Sequence, residues 1–455
     1  MQNPLKSLVR TADWVRRNRI PPQLVIQITD RCNATCPQCG MRVSNRFRRS
    51  SLTTDGIKRL VDAAAQKGVQ ALSFTGGEPL LEVDRLVELI RHAGAAGIPF
   101  IRTGTNGYLF ANPEKPGFYS RINRLVEKLA DTPLRNFWIS VDSTEPSIHE
   151  RMRGFSGVIA GIKQALPVFH SAGIYPSVNL GINRNVGGDA TRQLSRSLYS
   201  SDAEYLDAFH RQFADAFHRF YRFVIDLGFT MVNTCYPMSI GDEETAQGLD
   251  PVYAATAADD IVRFTAAEKA RLFQALMETT PRFRDKIRIF SPLTSLYALH
   301  RQHSRMEKPA YGCRGGIDFF FIDSSDGLAY PCGYRGNDGR GKFEDLDLCT
   351  RAYRSEDPCC TLCDWECFRD PSELFGPVLD VFSSPIMLLR RVRSNPEYFR
   401  TWLDDIRYYR ACRLFDGRTP PDYKRLQQFS SGRIATNTIK KQPLGFAGKS
   451  LAVSR

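Results

Sequence analysis

The sequence predicts an α/β protein built on parallel strands and followed by a smaller, cysteine-rich α+β region. Three observations predict it. From residue 24, short apolar and β-branched runs alternate with longer amphipathic stretches of helical period, the pattern of strand–helix–strand units. Polar or glycine-rich sequence follows these runs, where α/β folds collect their chemistry. Seven of the twelve cysteines fall within residues 313–367, a density that core packing does not explain. At 455 residues a single core is exceeded, so one large domain and at least one smaller one are expected.

Residues 4–19 place Leu5, Leu8, Val9, Ala12 and Val15 at helical spacing, with five Lys or Arg on the remaining faces and Pro21-Pro22 as the stop. Such a helix could lie on an anionic membrane surface, but it has few bulky anchors; the expectation is an N-terminal cap over residues 1–22. Strand 24–29 enters the loop that carries Cys32, Cys36 and Cys39. Helix 53–67 has Thr53 or Thr54 as N-cap and Gly68 as stop. Strand 71–74 runs into Thr75-Gly76-Gly77-Glu78-Pro79, and helix 83–95 follows. Strands 98–102, 136–141, 175–182 and 229–235 end respectively at Asn106, at Asp142-Ser143, at residues 183–185 and at Cys235. Residues 187–212 are polar and Ser-rich, an inserted loop and helix with the character of a lid. Helices 265–279, opened by the capping box Thr265–Glu268, and 292–302 close this domain at 23–304. Periodicity leaves open a six-unit barrel, a full barrel or an open doubly wound sheet.

Hydrophobic content of 42 % is ordinary for a globular protein, and no run approaches the roughly 20 apolar residues a membrane helix needs. The N-terminus lacks the apolar core and cleavage site of a signal peptide, so a cytoplasmic location is the expectation, with reduced cysteines acting as metal ligands. The net charge of +13 invites a nucleic-acid partner. However, from Arg418 onward eight Lys or Arg face only Asp422, so more than half of the excess sits in one tail, residues 417–455, expected to be solvated and disordered.

Cys32, Cys36 and Cys39 have the spacing C-x3-C-x2-C in a loop that can aim three thiolates at one point. A tetrahedral zinc site wants a fourth protein ligand, whereas a [4Fe–4S] cubane held by three cysteines keeps one iron open. With the Gly-Gly-Glu-Pro segment at Gly76, Gly77, Glu78 and Pro79, this resembles the radical S-adenosylmethionine (SAM) superfamily. The resemblance implies a partial (β/α)6 barrel, SAM bound through its amino and carboxylate groups to the open iron, and Glu78 accepting from the ammonium. It also implies SAM contacts at the strand ends, from Asn106, Ser140, Asp142 and Asn179, although Thr-Asn-Gly and Asp-Ser equally suit turns and caps. The stretch from Ser140 to Ser143 with His149, Arg151, Arg153 and Gly154 is similar to the segment after the superfamily's fourth strand. One departure is Gln38, where many members carry an aromatic residue near the adenine.

In the second region, residues 305–416, two alternating runs at 317–322 and 328–332 flank Asp323-Ser324-Ser325-Asp326-Gly327, a hairpin signal. The pattern C-x13-G-x4-C (Cys313, Gly327, Cys332) followed by C-x2-C-x3-C (Cys360, Cys363, Cys367) resembles the SPASM and twitch extensions, which hold one or two auxiliary iron–sulfur clusters. Cys349 and Cys412 could complete a second cluster, and a C-x2-C zinc site is the simpler alternative. Helices at 372–382, 385–392 and 396–414 are expected to cover this module.

The resemblance implies reductive SAM cleavage to a 5′-deoxyadenosyl radical that abstracts hydrogen from a small metabolite or peptide, with flavodoxin or ferredoxin as electron donor. With only 31 residues before Cys32, too few for a leader-binding domain beside the cap, the expectation tilts towards a small metabolite. An auxiliary cluster would suit an oxidative or bond-forming reaction. Redox-neutral epimerisation needs a hydrogen donor, for which Cys235 is the candidate, weighed against a core thiol. A zinc-binding regulatory or nucleic-acid-associated protein is the alternative of another class.

Overall fold

The computed structural model describes residues 14, 17–34, 36–39, 49–237, 245–246, 248–252, 260–306, 309–348 and 360–430. Six parallel strand–helix units form the large domain, as expected. They are β1 (Gln23–Thr29), α1 (Thr54–Gln66), β2 (Ala71–Gly76), α2 (Val83–Ala95), β3 (Phe100–Thr105), α3 (Phe118–Ala130) and β4 (Leu134–Ser140). The run continues with α4 (Pro146–Arg153), α5 (Val158–Ser171), β5 (Ser177–Gly181), α6 (Asp202–Leu227) and β6 (Met231–Cys235). Thr53 caps α1 by accepting from the Gly56 N–H, and the Thr265–Glu268 capping box opens α7 (Ala266–Thr279).

The sheet then extends beyond six strands at both edges. A short β7 (Arg288–Ile289) adds in parallel to β6 and leads into α8 (Leu293–His303). At the other edge, β8 (Phe319–Ile322) lies parallel to β1 with Gln23 opposite Phe319, and β9 (Ala329–Tyr330) folds back antiparallel on β8. The hairpin of the cysteine-rich region is therefore part of the barrel sheet, whose order is β7-β6-β5-β4-β3-β2-β1-β8-β9. Arg19 pins this join: buried, it donates to Asp318 just before β8 at 2.8 Å and also bonds the Leu348 carbonyl.

The loop and helix expected at 187–212 are both present. From Asp202 the chain is already α6, capped by Ser201, and a stripe of Phe209, Phe213, Phe217, Phe220 and Val224 buries it in the main core. The polar residues of its first turns belong to the solvent face of a crossover helix.

In the second region α9 (Glu366–Ser383) begins six residues before its expected start and runs through Pro371 and Pro377. Each proline removes a donor four residues after an acceptor. The orphaned carbonyls find other partners: Cys367 O accepts from Gln23 Nε2 at 3.4 Å, and Glu373 O accepts from the Tyr398 hydroxyl at 3.4 Å. α10 (Pro385–Ser394) lies on the surface, and α11 (Pro396–Ala411) returns to the barrel. There, buried Asp405 caps α8 by accepting from Leu293 and Thr294 N–H groups at 3.2 and 2.7 Å.

Residues 417–430, expected within a disordered tail, are ordered instead. Leu426 and Phe429 enter the main core, and Arg418 donates to the carbonyls of Leu129, Thr132 and Leu134 at the foot of the barrel. The rest of that expected tail, most of the N-terminal cap, and Cys349 and Cys359 lie outside the described residues. No described helix is long and apolar enough to cross a membrane.

Candidate active site

β1 delivers the cysteine loop at its C-terminal end, and β2 closes on it. Gly77 N donates to Thr29 O at 2.8 Å and Glu78 N to Arg31 O at 2.9 Å. A Cβ at Gly76 would overlap Thr29 O, and one at Gly77 would overlap Arg31 O; Gly76 also has φ +145°. In the structure their close approach is to the cysteine loop itself.

The three thiols of that loop are electrostatic neighbours. Burial pushes the Cys36 thiol up to about 12, with Cys39 and Cys32 adding to the rise and Arg153 opposing it. Cys32 Sγ accepts from Ala34 N at 3.4 Å and from Asn106 Nδ2 at 3.6 Å. Donors aimed at sulfur and a buried cation nearby are what a thiolate-held cluster requires, so the residues fit one.

Arg153 is the centre of this network, a role the sequence reading did not assign. It is buried, donates to Asp142 Oδ2 from Nε at 2.9 Å and Nη2 at 2.6 Å, and adjoins Cys36 and Cys39. Gln38 donates to the same Asp142 oxygen at 2.8 Å, so the residue before the third cysteine ties the loop to the end of β4. Asp142 N donates to His149 Nδ1 at 3.1 Å, and burial holds that imidazole down to about 4. Glu78 is 1 % exposed and accepts from Leu80 N at 2.9 Å and Asn106 N at 2.6 Å. Burial nevertheless raises its carboxyl to about 7. Ser140, half-buried, ends β4 beside Asn179 of β5.

Asn179 belongs to a cavity inside the barrel rather than to the strand-end network. The cavity, ≈ 190 Å³, is lined by inward-pointing residues of the strands, including Arg102, Asn136, Asn179, Asn233 and Cys235, and is closed by Trp365, Glu366 and Cys367 of the second region. Cys235 Sγ donates to Asn179 Oδ1 at 3.2 Å, and Asn233 Nδ2 donates to the same oxygen at 2.8 Å. Burial, with Glu366 and Cys367 adding, pushes the Cys235 thiol well above its ordinary value. The inward members of β3, β5 and β6 could have been found from strand alternation; the closing residues could not.

The second cysteine group divides. Cys313, Cys332, Cys360 and Cys363 are neighbours, with Cys313 N donating to Cys360 O at 2.8 Å. Backbone donors point at their sulfurs, Gly315 N to Cys313 and Tyr334 N to Cys332, both at 3.4 Å. Burial raises the Cys332 and Cys363 thiols, and Arg369, fully buried, lies beside Cys313 and Cys363. Four such thiols in an apolar shell become thiolates only with positive charge among them, so this set also suits a metal cluster. Among the described residues no three side chains converge at single-ion spacing. Cys367 is elsewhere: its charged neighbours are Glu366, Arg102 and Asp370, and it faces the cavity. Cys412 is buried in the main core, and none of the described cysteines is in a disulfide.

A model of the radical SAM superfamily matches residues 26–184. The AdoMet-dependent heme synthase of Methanosarcina barkeri is 25 % identical over 78 % of this chain and 87 % of its own length. The PqqA peptide cyclase of Xanthomonas axonopodis is 24 % identical over 42 % of this chain, and that of Rhodopseudomonas palustris 32 % identical over 30 %. This chain spans 48 % and 33 % of the length of those two cyclases. Among solved structures, SuiB of Streptococcus suis bound to S-adenosylmethionine is similar at a TM-score of 0.48 and 17 % identity, covering 80 % of this chain and 78 % of SuiB. The matched segment begins in β1 and ends just past β5, so it contains the cysteine loop, Glu78, Asn106 and the Asp142–Arg153 pair. Residues 26–184 of this chain are a radical SAM domain, the domain of enzymes that use S-adenosylmethionine and a [4Fe–4S] cluster.

Proposed function

We propose that Cys32, Cys36 and Cys39 hold the [4Fe–4S] cluster, that the strand-end network around Glu78 and Asn106 receives SAM, and that the barrel cavity receives the substrate. The observation that carries this reading is Arg153, which is hydrogen-bonded to Asp142 and within electrostatic reach of Cys36, Cys39 and Glu78, so one buried cation serves both the thiols and the strand-end carboxylates. When bound, the cluster and SAM supply a 5′-deoxyadenosyl radical that takes hydrogen from the substrate, and an auxiliary cluster at Cys313, Cys332, Cys360 and Cys363 would suit an oxidative or bond-forming outcome.

The chain's own residues orient and shield. Glu78, with both carboxylate oxygens held by backbone donors, presents its remaining lone pairs to an ammonium. Trp138, Trp365 and Phe321 give the cavity apolar walls that exclude water. Relatives named as peptide cyclases support a peptide substrate, and one named as a heme synthase supports a non-peptide one. Flavodoxin or ferredoxin is the electron donor we favour.

The test is anaerobic reconstitution with iron and sulfide, followed by assay of 5′-deoxyadenosine under dithionite. We expect it from the native chain and none from the triple Cys32/Cys36/Cys39→Ala variant; formation by that variant refutes the assignment. The thiol of Cys235 in the cavity favours a second reading, epimerisation with that thiol returning hydrogen. Turnover retained in Cys235→Ala excludes it, whereas 5′-deoxyadenosine formed with product lost supports it.

A further inference from the structure

Arg102 and Glu366 enter the central cavity from distant parts of the chain, one from β3 and the other from the first residue of α9. Arg102 gives its Nε to Ser73 Oγ at 2.5 Å, and among the described residues no carboxylate forms an ion pair with it. Glu366 is 5 % exposed; its Oε1 accepts from Cys367 Sγ at 3.5 Å, the Cys235 thiol and the Tyr236 backbone also face the carboxylate, and no hydrogen bond of good geometry reaches Oε2. The two groups do not pair with each other, yet both line the same cavity and both act electrostatically on the Cys367 thiol. A buried carboxylate oxygen left unsatisfied is costly, more so when charged, and native proteins keep such groups where a ligand or water completes them.

The rest of the wall selects by polarity and size. The amides of Asn179 and Asn233 are already bonded to each other and to Cys235, so they form a fixed polar floor. At ≈ 190 Å³ the cavity is below the roughly 300–1,000 Å³ of sites that take drug-sized ligands. A cation and an acceptor lining one space so small match the carboxylate and the N–H of a single small unit.

We propose that this cavity binds an α-amino-acid unit, free or as the C-terminal residue of a peptide, with its carboxylate on the Arg102 guanidinium and its N–H on Glu366 Oε2. Planar bidentate pairing makes arginine the suited residue for the carboxylate. The assignment rests on the enzyme reading above only in taking the cavity as the substrate site.

The experiment is saturation-transfer NMR on the anaerobically reconstituted full chain. The probes are L-alanine, N-acetyl-L-alanine as a peptide C-terminus, and L-alaninamide, which lacks the carboxylate. We expect transfer to at least one of the first two, with L-alaninamide at least tenfold weaker, and a tenfold or greater loss for the bound probe in Arg102→Gln and in Glu366→Gln. Circular dichroism and iron content confirm that each variant is folded. Binding of L-alanine alone identifies a free amino acid, and binding of N-acetyl-L-alanine alone a peptide terminus. No transfer to either carboxylate, equal binding of L-alaninamide, or native affinity in folded Arg102→Gln overturns the proposal. A native chain that makes no 5′-deoxyadenosine refutes the enzyme reading instead, and leaves these binding results to stand or fall by themselves.

Discussion

Arg153 donates twice to a single oxygen of Asp142, with neither side chain appreciably exposed. Breaking a buried pair from one side strands the other charge, at a cost of roughly 3–5 kcal/mol, whereas removing both charges costs much less. Arg153→Met is therefore expected to lower the urea midpoint sharply and to reduce iron at the Cys32/Cys36/Cys39 site. The double variant Arg153→Met/Asp142→Leu is expected to recover part of the stability without the iron. Iron analysis with denaturation of both variants checks this; a double variant no more stable than the single one counts against the pair.

Glu78 and His149 give pH dependences of opposite sign. The folded carboxyl is raised from its ordinary 4.5 to about 7, so its contribution is full below pH 4.5 and is lost as pH rises towards 7. The folded imidazole is lowered from 6.5 to about 4, so its contribution is full above pH 6.5 and is lost as pH falls towards 4. Each is worth about 3 kcal/mol, and between pH 4.5 and 6.5 they largely cancel. Stability measured under anaerobic reducing conditions should gain a positive slope with pH in Glu78→Gln and a negative one in His149→Gln. Parallel slopes in the native chain and both variants would contradict these two environments.

Gly76→Ala and Gly77→Ala should each disrupt the cysteine loop, because the added methyl meets the backbone of Thr29 or Arg31, which cannot rotate away. A loss of 2 kcal/mol or more is expected, about the size reserved for named structural faults. Iron at the first site should fall with it. Gly117→Ala is the control: it also has positive φ, +85°, but nothing lies within 4 Å of its Cβ.

Cys367→Ala is expected to leave auxiliary iron unchanged, while Cys363→Ala loses it. Iron and sulfide analysis of the two variants decides whether the fourth thiol of that site is Cys360 or Cys367.

That last distinction shows where sequence legibility stops. The six β/α units were readable because strand and helix periods are local properties, and Thr53 and Thr265 marked helix starts correctly. The three-cysteine loop and Glu78 were readable because spacing within one turn fixes proximity. Cys363 and Cys367 share the i, i+4 spacing of one helix face, but Cys363 precedes the N-cap Trp365, so the two thiols diverge. The early start of α9 was hidden by Pro371, whose orphaned acceptor is rescued by Gln23 from across the fold. Arg102 and Glu366 line one cavity through long-range packing such as the parallel join of β1 and β8, which no local period encodes.

That same join bears on how the chain is made. β1 leaves the ribosome well before its neighbour β8, which follows roughly 300 residues later, a sequence separation typical of slow, non-local pairing. Until then β1 offers an open, apolar edge of the kind that recruits foreign strands. Nascent chains stopped before Phe319 should therefore engage chaperones and aggregate, and release of the hairpin should end that vulnerable interval.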